Sequence, residues 1–298
     1  MRRIAHIVNP FQVSESSDLF AAQPITFETM RQARAFAAGQ VDVELLSAQY
    51  PEDQAIVPSD FRRTPDLEES VLDHGQFQKA RKLPLLQEIL DRLYQATEAE
   101  TLVYANVDIG LLPHFYLAVD GWLAAGYDAF TINRRTISDR FTSVEQIPLM
   151  YAQVGQPHRG WDCFVFRREA YPHYNLGAIC VGAPRVGLAL IANLVAHAGH
   201  FHEFKDQHLT FHLGNERAWQ EGAYADYAAH NSRELLRILA ELEAKQGPFE
   251  RSSPPGAFLA KRRRFGPAYE FWVDHVHIQA HTRRQIERII SRGRSDQP

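Results

Sequence analysis

The run Leu102-Val103-Tyr104-Ala105-Asn106-Val107-Asp108-Ile109 is apolar until it breaks into Asn-x-Asp. Upstream, Leu86, Ile89, Leu90 and Leu93 share one face of a helical pattern over residues 83–94. Downstream, Leu111-Leu112-Pro113 turns the chain into a second helical pattern over residues 114–125. A short apolar run between two such segments reads as a buried strand of an open α/β sheet. Asn106 and Asp108 then stand where the strand leaves the sheet, the edge at which such sheets bind ligands. Two oxygen-bearing side chains one residue apart suit a hard cation and the diphosphate it carries. Taken alone, Asn-x-Asp is more often an Asx turn or helix cap in a connecting loop.

The opening of the chain supports the same class. Ile4–Val8 reads as a strand ending at Asn9-Pro10, and residues 23–38 as a helix capped by Thr26 with Glu28 in its first turn. Residues 41–46 alternate and then close into a second strand, so a β-α-β unit and a parallel sheet follow. Residues 50–75 are polar and punctuated by Pro51, Pro58 and Pro65, a long excursion of the kind that is functional or mobile. Further strands are expected at 127–133, 162–167 and 208–213, and helices from Lys79, over 187–198 and over 226–245. Ser252-Ser253-Pro254-Pro255-Gly256 reads as a linker, followed by Lys261-Arg262-Arg263-Arg264 and a His- and Arg-rich helix to about residue 292. This gives an expected main domain over 1–250 and a basic helical extension over 251–298.

Bulk properties exclude several classes. At 298 residues with 45% hydrophobic and 23% charged, the chain can bury a sizeable core. No apolar run approaches the roughly 20 residues of a membrane span, and the start Met1-Arg2-Arg3-Ile4 lacks the core and cleavage site of a signal peptide. Cys163 and Cys180 lie in apolar runs without ligand spacing, so buried thiols in a reducing cytoplasm are expected. Net charge is −4, unevenly spread: from Arg251 onward ten Lys/Arg face four Asp/Glu, which leaves the body strongly acidic. That argues against nucleic acid as the body's partner, while the basic tail could touch a membrane surface or an anionic polymer.

The order of these pieces resembles a GT-A-type glycosyltransferase over about residues 4–215, with Tyr104-Ala105-Asn106-Val107-Asp108-Ile109 at the place of that family's Asp-x-Asp strand and Asn106 replacing its first Asp. The resemblance implies a mixed, mostly parallel sheet with helices on both faces. It also implies transfer of a sugar from a nucleotide-diphosphate sugar to a hydroxyl acceptor, assisted by Mn²⁺ or Mg²⁺. One fewer carboxylate weakens the metal inference, and the alternative is a non-catalytic nucleotide-sugar or glycan-binding protein of the same fold.

On that reading Asp108 is the protein ligand of the metal, and His212, ahead of His208, is a second ligand. Asn9, Arg81, Lys82, Asn106 and Arg134 are candidates for holding the nucleotide sugar, with Lys79 nearby. In His158-Arg159-Gly160-Trp161-Asp162, Trp161 and His158 would meet the acceptor and Asp162 would act as general base. Bland readings compete at each: a solvated helix start, an Asn-Pro turn, an outward arginine pair, a strand-start carboxylate bonded to backbone, half-buried structural histidines. His275, His277 and His281 read as a surface helix rather than a metal site.

Overall fold

A computed structural model describes residues 1–158, 160–214 and 224–266. The strands are β1 (Arg2–Val8), β2 (Val41–Ser47), β3 (Arg62–Arg63), β4 (Thr101–Ala105), β5 (Gly110–Leu111), β6 (Ala129–Ile132), β7 (Arg135–Ile137), β8 (Gln156–Pro157), β9 (Cys163–Arg167), β10 (Phe201–Phe204) and β11 (Thr210–Leu213). The α-helices are α1 (Asp18–Ala37), α2 (Leu86–Ala96), α3 (Phe115–Ala124), α4 (Ile147–Tyr151), α5 (Val186–His197), α6 (Ala225–Gln246) and α7 (Pro254–Phe265).

One sheet is seven-stranded, in the order β10-β6-β9-β4-β1-β2-β3, and every strand but β9 runs the same way. Its inner strands β1, β4, β6 and β9 are largely buried on both faces, which is why they read as apolar runs rather than alternations. Ala5, Ile7, Leu102, Tyr104, Phe164 and Phe166 pack under α2, α5 and α6. Their neighbours Ile4, Val8, Val103, Ala105, Cys163 and Val165 pack under α1 and α3. A mixed, mostly parallel sheet with helices on both faces is therefore the architecture found, as the GT-A-type resemblance implies.

A second, four-stranded sheet, β5-β11-β7-β8, stands at the carboxyl end of the first. It is built from the continuations of β4 and β6: β5 follows the Asn-x-Asp turn and β7 follows Asn133-Arg134. Strand β11 lies between them, antiparallel to β5 and parallel to β7, with His212 opposite Thr136.

Several local expectations need correction. Helix α1 begins at Asp18, capped by Ser17, whose hydroxyl accepts from Leu19 N–H, so Thr26 is a buried interior residue and no cap. Pro24 mimics a helix start in sequence, where proline is favoured, yet it sits inside α1. Pro24 has no N–H to give the carbonyl of Phe20, four residues earlier, so α1 runs on with that one intrahelical bond missing. Helix α2 begins at Leu86, so Lys79, Arg81 and Lys82 lie in a non-helical lead-in that pairs with the chain near Cys180. Strand β10 was not expected at all; it forms the edge beside β6. The Ser-Ser-Pro-Pro-Gly stretch starts α7: Ser253 Oγ accepts from Gly256 N–H, and Phe258 and Leu259 pack against the main core. Both cysteines are buried free thiols. The expected tail helix with His275, His277 and His281 lies outside the described residues.

Candidate active site

The topology gathers one edge. Strands β1, β2, β4 and β6 end there, and β9, running the other way, begins there. Asn9, Tyr50, Asn106, Asp162 and Arg134 each flank one of those strand ends, so residues far apart in sequence line a continuous rim.

Asn106 and Asp108 occupy a tight turn. Ile109 N–H donates to Asn106 O at 3.1 Å, with asparagine at the first position, as this turn favours. The expected turn is real, but the Asn106 side chain is not spent on it. Its Nδ2 faces Asp162 Oδ1 at 3.4 Å, its Oδ1 accepts from Tyr104 Oη at 3.3 Å, and its backbone N–H donates to Asp162 O at 3.1 Å. Beyond the turn, Leu111 N–H donates to Thr29 Oγ1 and Leu112 N–H to Leu209 O, which fixes β5 against α1 and β11.

Asp108 meets His212 across the junction of the two sheets, Oδ2 to Nε2 at 3.1 Å. The other ring nitrogen, Nδ1, lies 3.0 Å from Gly214 O and must donate to it. In a neutral ring, Nε2 then turns a lone pair toward a carboxylate oxygen, and a proton or a cation between them resolves that conflict. Burial works against ionisation of Asp108, yet the charges of His212 and Arg134 outweigh it and hold the carboxyl below its ordinary range. Its Oδ1 is buried with no hydrogen-bond partner among the described residues. An orphaned carboxylate oxygen beside an imidazole lone pair is a donor set that suits Mn²⁺ or Mg²⁺. Among the described residues no group of three or more His, Cys, Asp or Glu is placed to hold a metal, so a cation here would draw its other ligands from diphosphate and water.

Asp162 forms a buried ion pair with Arg134, Oδ1 to Nη1 at 3.0 Å, with side chains 11% and 8% exposed. The bland reading of Arg134 and Arg135 as an outward pair is therefore wrong: both are buried, and Arg135 pairs with Asp206 and donates to Gly155 O. His158 stands 3.9 Å from Asp162 and accepts from Gly160 N–H at 2.9 Å through Nδ1. Trp161 is half-buried, its indole N–H donating to Glu203 Oε1 at 2.8 Å. Arg159 lies outside the described residues. The Tyr104 hydroxyl is pushed up by burial first and then by the charges of Asp108 and Asp162.

Beside this rim lies a cavity of about 640 Å³, lined by Asn9, Phe11, Tyr50, Asp53, Lys82 and Pro84 among others. Asn9 donates Nδ2 to Ala48 O at 2.6 Å. Lys82 pairs with Glu52 at 2.7 Å and sits 3.8 Å from the Tyr50 ring centroid. Arg81 is not in the cavity wall: its guanidinium donates to Tyr224 Oη at 2.8 Å and stacks on that ring. The structure thus brings Asn106, Asp108, Asp162, Arg134, His158 and His212 to one rim, Asn9 and Lys82 to the adjoining cavity, and leaves Arg81 apart. His208 bonds Gln153 O at 3.1 Å and does not join His212. Sequence reasoning missed Tyr50 and Asp53. Their signal was position: they follow the end of β2 as Asn9 follows β1.

No protein-family model and no curated protein matches the chain. Among solved structures it is similar to S. aureus TarS 1-349 in complex with UDP-GlcNAc, at 9% identity and a TM-score of 0.47, over 85% of this chain and 74% of that one. It is also similar to glucosyl-3-phosphoglycerate synthase from Mycobacterium tuberculosis in complex with Mn²⁺, UDP and glucosyl-3-phosphoglycerate, at 18% identity and a TM-score of 0.45, over 81% of this chain and 80% of that one. Likenesses this remote decide neither a family nor a ligand for this chain.

Proposed function

We propose that the chain is a glycosyltransferase that moves a sugar from a nucleotide-diphosphate sugar to a hydroxyl acceptor, with a divalent cation assisting. The observation that carries the reading is the convergence of Asp108 and His212 at 3.1 Å, next to Asn106 and an adjoining cavity sized for a nucleotide. Asp108 and His212 would hold the cation, which as a Lewis acid would neutralise the departing diphosphate. Arg134, fixed by Asp162, adds positive charge to the same rim. Asn9 and Lys82 line the nucleotide cavity, and the exposed Lys82 side chain can turn to the phosphates. Trp161, fixed by Glu203, offers an apolar face to a sugar ring, with His158 beside it. Asp162 orients the acceptor hydroxyl and receives its proton in an inverting reaction.

One observation favours the alternative of a binder without turnover: Asp162 Oδ1 is already committed to Arg134. A panel of nucleotide sugars, incubated with and without Mn²⁺ and simple sugar or alcohol acceptors, separates the two. Release of nucleoside diphosphate with product formation supports transfer. Mn²⁺-dependent binding without release supports the binder, and no binding of any donor ends both readings. Among the described residues no helix is long and apolar enough to cross a membrane.

A further inference from the structure

Helix α7 divides its residues between two faces. Pro255 and Gly256 are buried, and Phe258 and Leu259, on the same face, pack against the main core. Arg262, one turn further along that face, is half-buried. The other face carries Lys261, Arg264 and Phe265, all exposed, and Arg263 beside them is exposed as well. Phe265 is 56% exposed, with the Arg264 guanidinium 5.2 Å from its ring centroid. Glu243 of α6 lies 3.6 Å from Arg263, whose side chain stays largely in water, so the pair takes little from the charge of the patch. Among the described residues no carboxylate pairs with Lys261 or Arg264.

A helix C-terminus favours cations because they complement the backbone dipole. That rule covers the arginines of the last turn, but not the exposed phenylalanine after them or Lys261 before them. Four consecutive cations on a packed amphipathic helix, with an aromatic ring at their end, fit the surface of an anionic bilayer. The chain's own continuation is a poor cover for this face. Residues 267–298 hold five arginines and four acidic residues, so they bring it no net negative charge. That sequence also sets Ile286, Ile289 and Ile290 among Arg283, Arg284 and Arg288. Aliphatic side chains gain by entering lipid, and gain nothing by lying along a polyanion.

We propose that α7 docks the chain on an anionic lipid bilayer, with Lys261 and Arg264 meeting lipid phosphates and Phe265 entering the headgroup layer. The acidic body is repelled by the same surface, so the docked chain has one orientation, with α7 toward the bilayer. Neither the Asp108–His212 rim nor the cavity beside Asn9 takes part.

The test is co-sedimentation of the full chain with vesicles of phosphatidylcholine alone and of phosphatidylcholine mixed with phosphatidylglycerol. The chain should bind the mixed vesicles at least about tenfold more strongly than the neutral ones, and should leave them as salt rises. Each cation near such a surface counts for roughly fivefold, so Lys261→Gln combined with Arg264→Gln should weaken binding by about tenfold or more. Phe265→Ser should weaken it without changing its salt dependence. Thermal melts confirm that the variants are folded, and the lipid preference of the unaltered chain stands without them. No binding, equal binding to neutral vesicles, or undiminished binding by the folded double variant overturns the proposal. So does salt-sensitive self-association without lipid, which makes the occupant a second copy of the chain. Retention on heparin at salt that strips the vesicles makes it an anionic polymer, and overturns the proposal too.

Discussion

His212 Nε2 stands 3.1 Å from Asp108 Oδ2, although 104 residues separate them in sequence. The contact exists because the chain beyond β4 and the chain beyond β6 are both recruited into a second sheet, and β11 is inserted between them. If that pair holds a cation, Asp108→Asn should weaken Mn²⁺-dependent binding of nucleoside diphosphate by at least about tenfold, 1.4 kcal/mol, and chelation by EDTA should do the same to the unaltered chain. Calorimetry with and without metal reads both. Metal-independent binding, or unchanged affinity in Asp108→Asn, would leave the pair a structural contact only.

Asp162 serves two demands that its substitution should separate. Asp162→Asn removes the proton acceptor, and turnover should fall by about 10²-fold or more, within the usual worth of a general base. It also leaves Arg134 without its buried counter-charge, and breaking such a pair costs about 3–5 kcal/mol of stability. Denaturant unfolding and transfer rate are therefore both measured. A large loss of stability with unchanged turnover would make Asp162 the anchor of Arg134 and nothing more.

Lys82 covers the Tyr50 ring and pairs with Glu52, all three in the lining of the cavity. Both ends of the pair are exposed, so its net strength is small, up to about 1 kcal/mol. Glu52→Gln should free Lys82 for phosphate and tighten nucleoside diphosphate binding up to about fivefold at low salt, with the gain fading as salt rises. Lys82→Ala should weaken binding. Opposite signs in a fluorescence or calorimetric titration would show that Glu52, not Lys82, serves the ligand.

The pH dependence of stability should carry a signature of His6. This residue is fully buried in β1, bonded to Tyr116 Oη at 3.0 Å, and burial lowers its pKa to about 3. The unfolded chain takes up a proton near pH 6.5 that the folded chain refuses until about pH 3. The unfolded state thus binds more protons between those values, and the contribution, complete above pH 6.5, is lost as pH falls toward 3. At about 1.36 kcal/mol per pH unit the loss amounts to roughly 4–5 kcal/mol. Urea unfolding at pH 7.5, 6 and 5 measures it, and His6→Leu should flatten the profile over that window while costing stability at pH 7.5 through the stranded Tyr116 hydroxyl.

What the sequence disclosed follows from which signals are local. Strand β4 and the turn after it were legible because an apolar run, an abrupt Asn-x-Asp and flanking helical periodicity occur within a few residues of one another. The start of α1 was not, because Pro24 carries a start signal and the true cap, Ser17, lies in a polar stretch of several equivalent serines. Strand β10 was missed because Phe201-His202-Glu203-Phe204 is an edge strand with little apolar content. The reversed direction of β9 is invisible locally, yet it is what sets Asp162 beside Asn106. Arg134 was named for phosphate without its partner, since the Asp162 contact depends on that reversal. Asp53 was passed over because a polar stretch rich in proline reads as surface, whereas Gln49, Thr64 and Asp66 bond across the excursion and bury its first turn.

The second sheet also explains a glycine. Gly110 follows Asp108 by two residues and pairs with Phe211, the neighbour of His212. A Cβ at Gly110 would lie 2.3 Å from the Phe211 ring. That ring is 2% exposed and packed with Ile25, Leu112 and Met150, so it cannot swing aside without moving β11. Gly110→Ala should therefore cost about 1–3 kcal/mol, the range for overpacking, and should displace His212 from Asp108. Gly121 in α3 is the control: nothing lies within 4 Å of its Cβ position, and Gly121→Ala should stabilise by about 0.5–1 kcal/mol. Denaturant unfolding together with Mn²⁺ titration tests the coupling. The expected result is that Gly110→Ala loses both stability and metal-dependent nucleotide affinity, whereas Gly121→Ala gains the first and leaves the second alone. Full metal dependence in a destabilised Gly110→Ala would mean that β11 tolerates the shift and that His212 is not held in place by this packing.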